Sequence, residues 1–203
     1  MSLIVSEVGT FRLVEAGTYP ARCIRLIDIG TQEGEYNGKK ILRKQIIVTW
    51  ELPTEIISDG DYVGEPYIIS KFYTASLSDK ANLRKDLEAW RGKAFTESEL
   101  KGFHLQVILD KPCMLSIIHN ETGRAKVSGM MAIPKGLEIL DRINPLVSFD
   151  ITNWDAEVYE NLSDGIKGII QKSKEVIESV KPSDKSSDIK IDVPNEKSNL
   201  DPF

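Results

Sequence analysis

Apolar and polar residues alternate with a period near two over much of the first half of the chain, and the alternation predicts strands. Thr18 to Gly30 (TYPARCIRLIDIG) mixes β-branched and apolar residues with Arg22 and Arg25 and predicts a first strand. The turn-rich stretch TQEGEYNGKK follows, with an Asn37-Gly38 pair that favours a tight hairpin. KKILRKQIIVTWEL predicts a long second strand ending near Trp50 and Leu52, with Pro53 closing it and SDGDYVGEP as a loop. Tyr67 to Ala75 predicts a third. The period then changes: Leu83, Leu87 and Trp90, at i, i+4 and i+7, predict a helix started by Ser78 or Asp79 and ended at Gly92. Thr96 with Glu99 forms a capping box for a second, short helix. After Pro112, CMLSIIH predicts a fourth strand, NETG a hairpin turn and RAKVSGMMAIP a fifth strand. There Arg124, Lys126 and Ser128 alternate with Ala125, Val127 and Gly129, so one face is polar and basic.

Three strands, a helix and two strands follow the connectivity of an OB-fold, a small five-stranded Greek-key barrel. The expected class is therefore mostly β with α (α+β): an OB barrel over residues 1–150 with a helix between the third and fourth strands. Within it, LEILDRINPLVSFDI covers one end. Residues 151–181 predict a helical extension of one or two helices broken near Gly165, with Val158, Leu162, Ile166, Ile169 and Ile170 at helical spacing. Residues 182–203 are rich in Ser, Asp, Lys and Pro and predict a disordered acidic tail, because they hold too little apolar surface to offset the entropy of ordering. Trp50, Leu87 and Trp90 are assigned to the core.

Composition narrows the function. The chain has 203 residues and no apolar run near the ~20 residues a membrane span needs. The opening MSLIVSEVGTFR lacks a basic stretch followed by an apolar core, so no signal peptide is expected. Cys23 and Cys113 are read as buried free thiols, which suits a cytoplasmic location. Net charge is −5, but residues 151–203 hold 11 acidic and 7 basic side chains, whereas residues 1–150 hold 20 and 19. A nearly neutral body leaves room for a basic stripe.

Catalytic signatures are missing. No phosphate-binding loop, dinucleotide glycine fingerprint or Gly-x-Ser-x-Gly elbow occurs, and the pair Asp59/Asp61 sits in a Gly-rich turn. Cys23, Cys113, His104 and His119 show no zinc-ligand spacing. No enzyme activity, metal or cofactor is expected.

The binding pattern is richer. Single strands are held by cations along the phosphates and aromatic faces under the bases. OB-folds use strands 2 and 3 and the loops between strands 1–2 and 4–5. The expected DNA-binding residues are Arg22 and Arg25 on the first strand, Tyr36, Lys39 and Lys40 at the first hairpin, and Arg43 and Lys44 on the second strand. Lys71 and Tyr73 share a face of the third strand while Phe72 points the other way, and Arg124 and Lys126 open the fifth. Arg84, Lys85 and Arg91 are read as a solvated helix face.

The chain ends NLDPF, which resembles the tip of bacterial single-stranded DNA-binding proteins, where acidic residues precede a terminal Pro-Phe. That resemblance implies that Leu200, Asp201, Pro202 and Phe203 dock replication or recombination proteins. The segments EAGTYPARCIRLIDIGTQ, DKANLRKDLEAWRGKAFTESEL and NLSDGIKGIIQKS are similar to bacteriophage single-stranded DNA-binding proteins of the OB class, over about residues 14–175. This implies single-stranded DNA as partner, a role in phage DNA replication or recombination in the host cytoplasm, and a possible homo-oligomer. Two other readings stay open: a phage structural or adaptor protein whose barrel binds proteins, and an RNA-binding OB module.

Overall fold

A computed structural model describes residues 14–180. Strands β1 (Gly17–Tyr36), β2 (Lys39–Ile56), β3 (Pro66–Thr74), β4 (Pro112–His119), β5 (Ala125–Met131) and β6 (Val147–Phe149) form one six-stranded sheet. The path β3-β2-β1-β4-β5 is antiparallel throughout, and β6 lies parallel to β1. At 20 residues, β1 serves two partners on one edge: Gly17–Arg22 pairs with β4, and Arg25–Ile27 with β6. Irregularities at Cys23/Arg25 and Asp28/Gly30 interrupt its register with β2, which sharpens local bending and twist.

The expected five-stranded closed barrel is not what forms. Among the described residues no hydrogen-bonded ladder joins β3 to β5, although the two strands approach each other. Helix α1 (Asn82–Arg91) packs against both strands there. The inward side chains of β3 turn to the helix: Lys71 Nζ and the Tyr73 hydroxyl donate to Asp86 at 2.7 and 2.8 Å. The helix ends at Gly92 as expected, but its N-cap is Ala81, with no side-chain cap. Asp79 instead pairs with Arg84, and the Ser78 carbonyl accepts from Ala81 N. Helix α2 (Glu97–Lys101) carries the Thr96–Glu99 capping box, and a 3₁₀ turn, Leu105–Ile108, leads into β4.

The sheet is buried on both faces near its centre. On one face Cys23, Trp50, Leu115 and Val127 pack with Leu83, Leu87 and Trp90 of α1, and the two indole rings lie 6.0 Å apart. On the other, Ile27, Ile29 and Ile47 meet Phe149, Ile151, Leu162 and Ile170. This double burial explains the continuous apolar run around Ile46–Val48, which a sheet wet on one face would break by alternation. Helix α3 (Ala156–Glu160) packs against β6, and helices α4 (Asp164–Ile170) and α5 (Lys174–Val180) carry the second cluster onto β1.

Gly30 makes that docking possible. Its φ is +73°, and a Cβ there would lie 2.7 Å from Ser173 Cβ and 2.8 Å from Ile151 Cδ1. Next to it, Thr31 N and Oγ1 both donate to the Glu175 carboxylate at 2.7 Å. The 134–146 stretch is held by a register pair of β1 and β2, Arg22 and Glu51. Glu51, fully buried, accepts from Ile143 N, Asn144 N and Asn144 Nδ2, each at 2.7 Å.

Candidate nucleic-acid interface

The first hairpin extends well beyond its predicted strand. Asn37 and Gly38 have φ of 51° and 72°, the paired positive values of the tight hairpin turn that Asn-Gly favours. The ladder therefore runs unbroken from Gly30↔Gln45 to Tyr36↔Lys39, and most of the turn-rich stretch is a two-stranded ribbon. Alternation sorts its side chains. One face carries Gln32, Gly34, Tyr36, Lys39, Ile41 and Arg43, with no acid among them. The other carries Glu33, Glu35, Lys40, Leu42 and Lys44.

The acids decide which cations are free. Lys40 pairs with Glu33 at 2.6 Å and Lys44 with Asp28 at 2.8 Å, and each hydrogen bond raises the lysine's pKa. Arg43 has no carboxylate partner among the described residues. Its guanidinium lies 5.7 Å from the centre of the exposed Tyr36 ring. Lys39, Arg124 and Lys126 are likewise exposed and unpaired among the described residues.

On β3 the expected alternation holds, but the roles of its two faces are exchanged. Lys71 and Tyr73 do share a face, and it is the inner one. Tyr73 is only 4% exposed, so its ring is not available to stack on a base. Burial, and then Asp86, push its hydroxyl pKa well above the ordinary value. Lys71, paired to Asp86, anchors α1. The outward aromatic is Phe72, 54% exposed and opposite Ile47. Phe72 and Arg43 line one cleft of about 450 Å³ together with Thr74, Ser76, Ser78 and Lys80, and the buried Tyr73 touches its wall. Phe72 was missed because the sequence shows which residues alternate, whereas the outward face is set by what α1 covers. Nor was Lys80 expected; it comes from the β3–α1 connection.

Arg22 is also structural: Nε donates to Leu140 O at 2.9 Å, and Nη1 to Asp110 O at 3.0 Å, with Asp141 beside Nη2. Arg25 and Arg124 line a second cleft at the Pro66 end of β3, of about 690 Å³. Lys126 lines neither cleft. Arg84 and Arg91 on α1 are ion-paired to Glu88 and Glu99 rather than solvated, and Arg91 stacks on Phe95 at 4.3 Å.

Among the described residues no group of three or more His, Cys, Asp or Glu is placed to hold a metal ion. Both cysteines are buried thiols; burial pushes Cys23 up to about 12. No described helix is long and apolar enough to cross a membrane. Leu200, Asp201, Pro202 and Phe203 lie outside the described residues, as does the acidic tail that carries them. The chain matches no protein-family model and no curated protein.

Proposed function

We propose that the protein binds single-stranded DNA without strong sequence preference and without catalysis, along the outer face of β3 and the acid-free face of the β1–β2 ribbon. The observation that carries this is the shared cleft of Arg43 and Phe72, lined also by Lys80, Thr74, Ser76 and Ser78 and by no carboxylate. Tyr36 extends it at the ribbon tip. An exposed aromatic beside unpaired cations is what a sequence-tolerant strand needs: a π-face for any base and charge for the phosphates. Nine residues of β3 rise roughly 30 Å, enough to align several nucleotides.

We further assign the sheet to the OB class, left open at the β3–β5 seam. The order of elements, β1 paired with both β2 and β4, and the helix between β3 and β4 support that assignment. A role in phage DNA replication or recombination follows from the resemblance of the segments quoted above.

Phe72→Ala and Arg43→Ala are the direct tests. Loss of a stacking base contact is worth ~1–3 kcal/mol, so Phe72→Ala is expected to weaken oligo-dT binding by about 5- to 150-fold. Both variants binding as tightly as the parent protein contradicts the site. A specific observation favours the adaptor reading as well: Leu137, Leu140 and Ile143 are 44%, 56% and 60% exposed on the stretch latched by Glu51. Under that reading no oligonucleotide binds at all.

A further inference from the structure

At the opposite end of β3 from the Phe72 cleft, one arginine is left in an unusual position. Arg25 sits on β1 opposite Thr49, and Thr49 Oγ1 is itself bonded to Ser70 Oγ at 2.8 Å. The Arg25 Nε is buried and has no hydrogen-bond partner, and no carboxylate pairs with its guanidinium among the described residues. The contrast is with Arg22, three residues earlier on the same strand, which has two aspartates and two backbone carbonyls. A buried, unpaired guanidinium nitrogen costs free energy unless an acceptor arrives.

Arg25 lines the 690 Å³ cleft together with Arg124, which immediately precedes β5 and is exposed, with no ion-pair partner among the described residues. The cleft lining therefore holds two arginines and a single carboxylate, Glu65. The rest of its lining is mostly apolar or aromatic, including Leu52, Ile57, Ile69 and the 57% exposed ring of Tyr62, with Ser70 and Asn144 as the uncharged polar side chains. Guanidinium groups form bidentate bonds to a phosphate, and an exposed phenol ring offers a face to a planar base.

We propose that the Arg25–Arg124 cleft is a nucleotide site, in which the two arginines grip one phosphate while its base stacks on Tyr62. The choice of a nucleotide over other phosphates rests on the single-strand reading. The site is separate from the Phe72 cleft, so the two can fail independently. A mononucleotide and a nucleotide within a strand present the same chemistry to it, and the test separates these sources.

The full-length protein is titrated calorimetrically with dTMP, with thymidine and with inorganic phosphate, and separately with oligo-dT. Saturable dTMP binding is expected, with thymidine silent and phosphate at least tenfold weaker. Arg25→Gln should abolish dTMP binding, Arg124→Gln and Tyr62→Ala should each weaken it about tenfold, and Phe72→Ala should leave it unchanged. Thermal melting checks that Arg25→Gln still folds, and the exposed Arg124 and Tyr62 give readouts independent of that. If oligo-dT is also weakened by Arg124→Gln, the cleft holds part of a strand; if oligo-dT is unaffected, it is a site for free nucleotide. No dTMP binding, or phosphate binding as tightly as dTMP, overturns the proposal, whatever oligo-dT does.

Discussion

At the scale of single residues, Phe72 and Tyr73 show how adjacent aromatics take opposite jobs. Tyr73 spends its hydroxyl on Asp86 and its ring in the core; Phe72 has no polar group to satisfy and faces outward. Tyr73→Phe removes a hydrogen bond to a charged acceptor, typically worth ~1.5–3 kcal/mol. It should lower thermal stability accordingly while leaving oligo-dT affinity within twofold, read by melting and titration on the same sample. A large loss of affinity with stability intact would give the Tyr73 hydroxyl a direct part in binding at the cleft it lines. The alternation of β3 was legible in the sequence, as were the core roles of Trp50, Leu87 and Trp90. Sidedness was not, because it depends on the contact between α1 and β3, which no local pattern encodes. The same limit hid the pairing of Arg22 with Asp110 and Asp141, residues 88 and 119 positions away.

Among the elements, the C-terminal helices are held to β1 by two close-range features that can be tested separately. Gly30→Ala places a Cβ within 2.8 Å of Ser173, Glu175 and Ile151 at a φ of +73°, so a loss of more than ~1 kcal/mol is expected by urea unfolding. Unchanged stability would mean that the α4–α5 turn sits further from β1. Glu175 is the second feature. Burial works against its charge, but the Thr31 N–H and hydroxyl outweigh it and hold the carboxyl below its ordinary value. A carboxyl lowered by folding contributes stability that is complete above its unfolded value of about 4.3 and is lost as pH falls through the folded one. The stability gap between the parent protein and Glu175→Gln should therefore be constant from pH 7 to 5 and shrink below about pH 4. A gap that widens on acidification contradicts this. The Asn37-Gly38 turn, the Thr96 capping box and α1 were all readable from local residues. β6 was not: three residues pairing parallel to β1 carry no periodic signal, and only the second cluster explains them.

For the whole molecule, net charge is a poor guide to partners. The sum is −5, yet the ribbon separates its acids onto one face and leaves Lys39 and Arg43 on the other. The sequence residues 182–203 are acidic and, by the chemistry of charge competition alone, should oppose phosphate at a basic face. Deleting 182–203 is expected to raise single-strand affinity at low salt and to matter less as salt rises; an unchanged or weaker affinity counts against that role. The measurement that reaches the central proposal most directly is a titration of the full-length protein with fluorescent oligo-dT of about 30 nucleotides at several salt concentrations, with a duplex of equal length beside it. Phosphate contacts release counterions, so log K should fall linearly with log salt, by about 0.7 per contact on a single strand. The expected result is tight, salt-sensitive binding to the single strand with the duplex much weaker. Absence of binding to oligo-dT at low salt, in both the full-length and tail-deleted proteins, would contradict the proposal and leave the exposed Leu137–Ile143 stretch as the surface to pursue.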